Sequence, residues 1–250
     1  MVQAPRRYKR LLYPAQWAGL FFSLFMCALF IAWHSLASVN FFYSLLYEPV
    51  GIENNIALYG PKNTVRPFFQ LTDKQEHVRL FTAIVDAIHN DGKGLEQLTY
   101  HTPQGHALGP FLTTAEIIHL RDVAYLIDWV NVLGASSLLM ALGLFALILR
   151  RNERPPSLLR YHLIGLLGLV ALIGMVLIIG AENLFYQFHI WLFPENNQWF
   201  FYYEESLMSM FMRAPDLFAY IAVELLSIGL MLYSVMLIVI YKFTVFFNDQ

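Results

Sequence analysis

The sequence is poor in cysteine and in charged side chains. Its single cysteine, Cys27, lies in an apolar run, so the chain can form no internal disulfide, no CxxC redox pair and no cysteine-rich zinc site. Only 14% of the 250 residues are charged and the net charge is -2, so nothing in the composition favours nucleic acid as a partner. Because 58% of the residues are hydrophobic and the mean hydropathy is +0.51, the composition predicts an integral membrane protein.

Several signatures of catalysis are missing as well. The chain has no G-x-S-x-G elbow, no Walker loop and no glycine-rich fingerprint, so a serine acyl-enzyme has no support in the sequence. No HExxH or HxH spacing indicates a metal site. Any acid–base chemistry would therefore depend on histidine and carboxylate side chains placed by the fold.

Four apolar runs are long enough to cross a hydrocarbon core of ~30 Å. They cover residues 15–38, 125–149, 162–181 and 217–243. The first run follows a basic head and is longer than the apolar core of a signal peptide, so we interpret it as a retained span. Basic residues concentrate in the head and in the loop 150–160, which predicts that both segments and both termini are cytoplasmic: Arg6, Arg7, Lys9, Arg10, Arg150, Arg151, Arg154 and Arg160.

This topology divides the chain into three parts. Residues 1–38 hold the basic head and the first span, residues 39–124 hold an extracytoplasmic cap and the start of the second helix, and residues 125–250 hold spans two to four with an outer loop at 182–216. The predicted fold class is an all-α integral membrane protein with four transmembrane helices and a small mixed α/β cap between the first two.

Local patterns predict the elements of the cap. Thr72 and Gln75 fit a capping box, and apolar residues at helical spacing follow, which predicts an amphipathic helix over residues 72–89. The Pro103-Gln104-Gly105 sequence predicts a turn between two short strands.

One long helix is predicted to carry functional side chains. Thr113 and Glu116 fit a capping box, and no proline follows until after Arg150. His119 and Asp122 are spaced i, i+3 and therefore share a face just before the second span. Asp122 could accept a proton from His119 or raise its basicity.

A second histidine, His189, lies just beyond the third span, on the same predicted side of the membrane as His119. Histidine titrates near neutral pH, so such a pair can supply an acid and a base. Interfacial histidine and aspartate residues also serve to hydrogen-bond a cap to a helical bundle, so spacing alone leaves both interpretations open.

Two acidic residues fall inside predicted spans, where charges are costly and usually face the bundle interior. Asp128 lies near the outer edge of its span. Glu224 lies deeper in the fourth span, where it could neutralise Arg213 or a polar lipid group, or serve the structure alone.

The segments around both histidines resemble a known family. The run EIIHLRDV at residues 116–123 resembles the Glu-x-x-His-Met-x-Asp-Val signature of the bacterial lipoprotein intramolecular transacylases (Lit). The run LFYQFHIWLFPENNQWFF at residues 184–201 resembles their Phe-His-x-x-x-Phe segment with a following Trp, here Phe188, His189, Phe193 and Trp199. Leu120 stands where the family has Met, and Tyr202 and Tyr203 stand where Asp-Pro is expected.

The resemblance implies an O-to-N acyltransferase of the bacterial plasma membrane with its active site on the extracytoplasmic side. Such enzymes move the sn-2 acyl chain of a diacylglyceryl-cysteine lipoprotein onto the α-amino group of that cysteine, which gives a lyso-form lipoprotein. The expected partners are diacylglyceryl-modified lipoproteins and membrane lipid, and the reaction needs no cofactor, metal or covalent intermediate.

Residue roles follow partly from the resemblance. His119 and His189 correspond to the essential histidines of the family, with Asp122 beside them. The residues expected to contact the substrate are Phe188, Phe193 and Trp199 of the matching segment, together with Arg121 and Glu224, which their own chemistry and position suggest. Among these, Arg121 could stabilise an oxyanion, although it points about 100° away from Asp122 on the helix.

Two other functions fit the same residues. A different interfacial lipid acyltransferase or hydrolase would use the same histidines, and a hydrolase would release a free fatty acid instead of a lyso-lipoprotein. A non-enzymatic membrane partner or sensor would tolerate glutamine in place of either histidine. The sequence leaves the oligomeric state and the lipoprotein clients undetermined.

Overall fold

The structure is a computed structural model that describes residues 6–152, 154–157, 165, 167–168, 170–171, 174–176, 178–193 and 197–248. The fold is mostly helical, with a small two-stranded sheet. The helices are α1 (Arg6–Ser38), α2 (Tyr43–Val50), α3 (Ile52–Tyr59), α4 (Lys74–Ile88), α5 (Thr114–Arg150), α6 (Ala181–Leu192), α7 (Leu207–Met212) and α8 (Asp216–Asn248). The strands are β1 (Thr99–His101) and β2 (Ala107–Pro110).

Three helices are long and apolar enough to cross a membrane. They are Tyr13–Ser38 within α1, Thr114–Arg150, which is α5, and Asp216–Phe247 within α8. These helices match three of the four predicted spans. In the remaining predicted span, residues 162–181, eight of the twenty residues lie outside the described ranges, so the count of four stays a prediction.

The chain forms two compact units. The first comprises Met1–His34, Val130–Met175 and Leu225–Gln250. Its core is an apolar cluster on α1, α5 and α8, made of Trp17, Leu20, Phe21, Leu24, Ala141, Ile148 and Leu237. Gly134 on α5 brings that helix against the Phe30 ring of α1, because a Cβ atom at Gly134 would lie 2.3 Å from Phe30 Cδ2.

The second unit comprises Ser35–Trp129 and Val176–Glu224. Its core is aromatic: the Tyr43 and Phe81 rings stack at 4.2 Å, and Phe111 meets Phe211 edge-on at 5.3 Å. The short helix α7 is buried along its whole length. Two of its carbonyl groups accept side-chain hydrogen bonds, one from the Tyr43 hydroxyl (3.0 Å to Phe211 O) and one from Asn55 Nδ2 (2.7 Å to Met210 O).

Two local predictions are confirmed. The Thr113 amide donates to Glu116 Oε2 (2.6 Å) and the Glu116 amide donates to Thr113 Oγ1 (3.3 Å), so the predicted capping box begins α5. The predicted hairpin forms as an antiparallel pair in which Thr99 faces Pro110 and Tyr100 faces Gly109.

The predicted capping box at Thr72 is wrong. Asp73 is the N-cap of α4, and its carboxylate accepts from the Glu76 amide at 2.9 Å. Aspartate is a stronger N-cap than threonine and stands one residue nearer to the helix, so α4 begins at Lys74. The Thr72 hydroxyl bonds to Phe69 O and to the His77 ring instead.

Candidate functional site

Helices α5 and α6 bring His119 and His189 together. The ring centroids lie 6.0 Å apart with an interplanar angle of 32°, and each residue is 8% exposed. His119 sits in the second turn of α5, which the Thr113–Glu116 capping box positions. His189 sits on α6, which begins after Gly180 at a φ of 86°, a conformation that glycine adopts readily. A substrate group could therefore reach both imidazoles at once.

The tautomer of His189 follows from its hydrogen bond. His189 Nδ1 lies 2.8 Å from the carbonyl oxygen of Phe185. A carbonyl oxygen only accepts, so Nδ1 carries the hydrogen and Nε2 carries the lone pair of the neutral ring. Burial lowers the pKa of His189, and the bond to Phe185 partly opposes that shift. His189 is therefore a neutral base near pH 7, with its basic nitrogen free of the backbone bond.

His119 is held in a different way. Its Nδ1 atom is buried and has no hydrogen-bond partner among the described residues. The ring contacts Phe193 at 4.8 Å and Phe201 at 5.9 Å between centroids. Because no described hydrogen bond reaches Nδ1, aromatic packing sets the orientation of this imidazole.

Aromatic side chains also surround His189. Phe185 lies at 4.0 Å, Trp199 at 5.1 Å and Phe193 at 5.2 Å between ring centroids. Phe188 is 5.9 Å away and remains 49% exposed. Three of the residues expected to contact substrate, Phe188, Phe193 and Trp199, are therefore in contact with the histidine pair.

Asp122 has a different partner from the expected one. Asn197 Nδ2 donates to Asp122 Oδ2 at 2.7 Å, and no described hydrogen bond joins Asp122 to His119. Residues spaced i, i+3 share a helix face but diverge by about 60°. This divergence lets Asn197, from the segment after α6, reach the carboxylate. The described contacts therefore include none through which Asp122 could directly raise the basicity of His119.

Arg121 and Glu224 lie apart from the described contacts of the histidines. Arg121 forms an ion pair with Glu96 and packs over Gly92. Arg213 pairs with Asp216 (3.0 Å) and bonds to Val50 O, so it does not neutralise Glu224. One carboxylate oxygen of Glu224 is buried without a partner among the described residues.

Sequence reasoning missed four residues near the site: Phe185, Asn197, Phe201 and Ser206. Phe185 could have been found, since it precedes His189 by one helical turn. The other three lie in the segment between α6 and α7, which has no periodicity that would locate its side chains. Within the part of the chain that the structure describes, no three His, Cys, Asp or Glu side chains form a group able to hold a metal ion.

The arrangement is suited to proton transfer. Two nearly buried imidazoles lie 6.0 Å apart between ring centroids among aromatic side chains, and one of them presents a basic nitrogen. Such a pair can take a proton from an attacking group and stabilise or protonate a leaving oxygen without a covalent intermediate.

Comparison with known proteins agrees in sequence and in fold. The family model described as "Lipoprotein intramolecular transacylase Lit" matches residues 18–214. Two solved structures of the membrane-integral lipoprotein intramolecular transacylase Lit from Bacillus cereus share the fold. A histidine-to-arginine variant has a TM-score of 0.62 at 15% identity, over 96% of this chain and 94% of that chain. A histidine-to-alanine variant has a TM-score of 0.60 at 16% identity, over 96% of each chain.

The search of curated proteins gave no match. The family match nevertheless covers well over half of the sequence and includes both histidine segments. This membrane protein belongs to the lipoprotein intramolecular transacylase (Lit) family.

Proposed function

We propose that this protein transfers the sn-2 acyl chain of a diacylglyceryl-cysteine lipoprotein to the α-amino group of the same cysteine. The product is a lyso-form lipoprotein. The site would lie at the outer surface of a bacterial plasma membrane, with both termini cytoplasmic. Donor and acceptor belong to one molecule, so the enzyme mainly has to hold a near-attack geometry.

The chemistry needs two proton movements. The α-amine, whose pKa is about 7.7–8, reacts in its neutral form and gives up one of its two N–H protons to a base as its nitrogen attacks the ester carbonyl carbon. A carbon–nitrogen bond then forms and the bond from the carbonyl carbon to the sn-2 oxygen breaks. The departing glycerol alkoxide takes a proton and becomes a hydroxyl group. The acyl chain ends as an amide, and no atom or electron is left over.

The hydrogen bond from His189 Nδ1 to Phe185 O carries this proposal. It leaves Nε2 of His189 as the base that takes the amine proton and later returns it to the alkoxide. His119, 6.0 Å away between ring centroids, then donates a hydrogen bond from its neutral ring to the ester oxygen as charge develops. Phe188, Phe193 and Trp199 would line the space for the reacting groups.

The departures from the family pattern fall in two places. Leu120 is buried beside His119 in the sequence, so an apolar side chain is retained there. The Tyr203 hydroxyl donates to Ala214 O at 2.6 Å, so it ties its segment to the chain just before α8. Tyr202 is exposed and is free to contact substrate or lipid.

The test is to express His119→Gln, His189→Gln and Asp122→Asn at equal membrane levels and to measure lipoprotein N-termini by mass spectrometry. We expect losses of roughly 10²–10⁴-fold for His189→Gln and of roughly 10²–10³-fold for His119→Gln. Asp122→Asn should lose less than either, because Asp122 contacts Asn197 and no described bond joins it to the reacting pair. His106→Gln, in the exposed hairpin turn, is the matched control.

Near-normal lyso-lipoprotein from either histidine variant would contradict the mechanism. Release of free fatty acid without N-acylation would indicate an interfacial hydrolase. If cells that express either histidine variant behave like cells that express the parent protein, the protein is a non-enzymatic membrane partner.

A further inference from the structure

The orientation of His119 depends on Phe201. No hydrogen bond reaches His119 Nδ1 among the described residues, so packing against Phe193 and Phe201 fixes the ring. Phe193 follows the last residue of α6, whose capping bond runs from the Phe193 amide to His189 O. Phe201 lies in a segment without helix or strand, so some other contact must hold that segment against α5.

A buried hydrogen bond supplies such a contact. Glu116 and Ser206 are each 1% exposed, and the Ser206 hydroxyl donates to Glu116 Oε1. Glu116 precedes His119 by three residues on α5, so the two side chains share a face. Ser206 follows Phe201 closely in the chain. The bond therefore fastens the Phe201 segment to the first turn of α5, one turn before His119.

Both partners also begin helices. The second oxygen of Glu116 accepts from the Thr113 amide at 2.6 Å in the α5 capping box. Ser206 Oγ accepts from the Ser209 amide at 2.9 Å as the N-cap of α7. Tyr43 and Asn55 bind the other end of α7 through its carbonyl groups. One hydroxyl thus joins the start of α5 to the start of a helix that is itself fixed in the core.

The link uses a buried carboxylate, which is expensive to desolvate unless its oxygens accept hydrogen bonds. Here one oxygen accepts from the Ser206 hydroxyl and the other from the Thr113 amide. A directional bond is better suited to setting a position than to adding stability.

We propose that Glu116 and Ser206 are positioning residues for acyl transfer. Their hydrogen bond sets the placement of Phe201 against His119 and therefore the orientation of the His119 ring. This inference rests on the proposed function. Neither residue touches the histidine rings in the described contacts, so their effect is exerted through Phe201.

The experiment compares Ser206→Ala, Ser206→Thr, Glu116→Gln and the double variant Glu116→Gln/Ser206→Ala. Each protein is purified in detergent and given a synthetic diacylglyceryl-cysteine lipopeptide, and N-acylation is followed by mass spectrometry. Tyr43→Phe is the matched control, because it also removes one hydrogen bond to α7 but none to α5. Rates are normalised to folded protein by gel filtration and thermal unfolding, and His189→Gln is included in the same assay.

We expect Ser206→Ala to lower kcat by up to about 100-fold, the cost of misplacing a catalytic group by about 1 Å. KM should stay within about twofold, as for an interaction that acts on the transition state. Ser206→Thr keeps the hydroxyl and should restore most of the rate. The double variant should be no slower than the slower single variant, because both substitutions break one link.

Several outcomes would overturn the inference. Equal loss of kcat in Ser206→Ala and Tyr43→Phe would make the link a packing contact only. Additive losses of kcat in the double variant would also refute it. So would a full rate in Glu116→Gln and Ser206→Ala measured while His189→Gln is inactive. Activity retained by His189→Gln would instead overturn the proposed function. If Ser206→Ala fails to fold, Ser206→Thr and Glu116→Gln decide the question.

Discussion

Buried histidines of this protein differ in how their nitrogens are satisfied. The Thr72 hydroxyl donates to Phe69 O, so it must accept from His77 Nε2, 2.6 Å away. His77 Nδ1 is then the acceptor for the Tyr47 hydroxyl at 2.8 Å. Both nitrogens of His77 are occupied by the protein. Among the described residues, the buried Nδ1 atom of His119 has no partner, and His189 keeps Nε2 free of the backbone bond. A histidine with an uncommitted nitrogen can bind a substrate group, whereas both nitrogens of His77 are committed to the protein.

The saturated His77 predicts acid sensitivity of the second unit. Burial lowers the pKa of His77 to about 4, although Asp73 and Glu76 oppose the shift. The unfolded chain takes up a proton near the ordinary pKa of about 6.5, well before the folded chain does. Stability should therefore fall as the pH drops from about 6.5 to about 4, by roughly 3 kcal/mol.

The measurement is the apparent midpoint of thermal unfolding in detergent between pH 7 and pH 4. His77→Gln should flatten the pH dependence while lowering the midpoint at pH 7. His106→Gln removes an exposed imidazole and should retain the slope of the parent chain. An unchanged slope in His77→Gln would refute the assignment.

At the scale of elements, helix α5 uses its two glycines differently. Gly134 is buried, and an added Cβ atom would lie 2.3 to 2.8 Å from three ring atoms of Phe30 on α1. Gly143 is exposed, and an added Cβ atom there would meet nothing within 4 Å. Close approach of small residues is a common basis of helix packing in membranes. Gly134 therefore sets the packing of α1 on α5, and Gly143 has no such role.

This contrast gives a paired prediction. Gly134→Ala should destabilise the first unit by about 1–3 kcal/mol, the usual cost of overpacking. Gly143→Ala should be neutral or stabilising by up to about 1 kcal/mol, since alanine is the better helix former. Thermal unfolding of both variants in the same detergent measures the difference. A loss in Gly143→Ala that equals the loss in Gly134→Ala would contradict the packing role of Gly134.

At the scale of the whole molecule, the long helices α1, α5 and α8 each contribute residues to both compact units. The apolar composition of these helices and the family match make this a membrane protein. Basic residues cluster in the head and in the loop after α5, and this distribution predicts on which side of the membrane each segment lies.

We predict both termini inside, and residues 39–124 and 182–216 outside. Single cysteines at positions 90 and 152 test this with a membrane-impermeant maleimide. Asn90→Cys should react in intact cells and Asn152→Cys only after permeabilisation. Background should be low, because the native Cys27 is 4% exposed. The reverse labelling pattern would place His119 and His189 in the cytoplasm and end the proposed function.

The sequence by itself determined the parts of this protein that depend on local patterns. Composition and long apolar runs predicted a helical membrane protein, and the Thr113–Glu116 box and the turn at Pro103-Gln104-Gly105 predicted where α5 and the hairpin form. These features depend on residues close together in the chain, and short-range sterics and hydrogen bonding are enough to set them. The one local error, Thr72 for Asp73, arose because adjacent residues compete for a single N-cap position.

Only the tertiary structure decided which side chains meet. It set the 6.0 Å separation of the His119 and His189 rings, whose approach their matched positions beyond two spans predict. It also paired Asp122 with Asn197, Arg121 with Glu96 and Glu116 with Ser206. Each pair links segments far apart in the chain, and the segment after α6 supplies its side chains without any periodicity. Such contacts depend on how whole elements pack, so the spacing of residues along one helix carries no information about them.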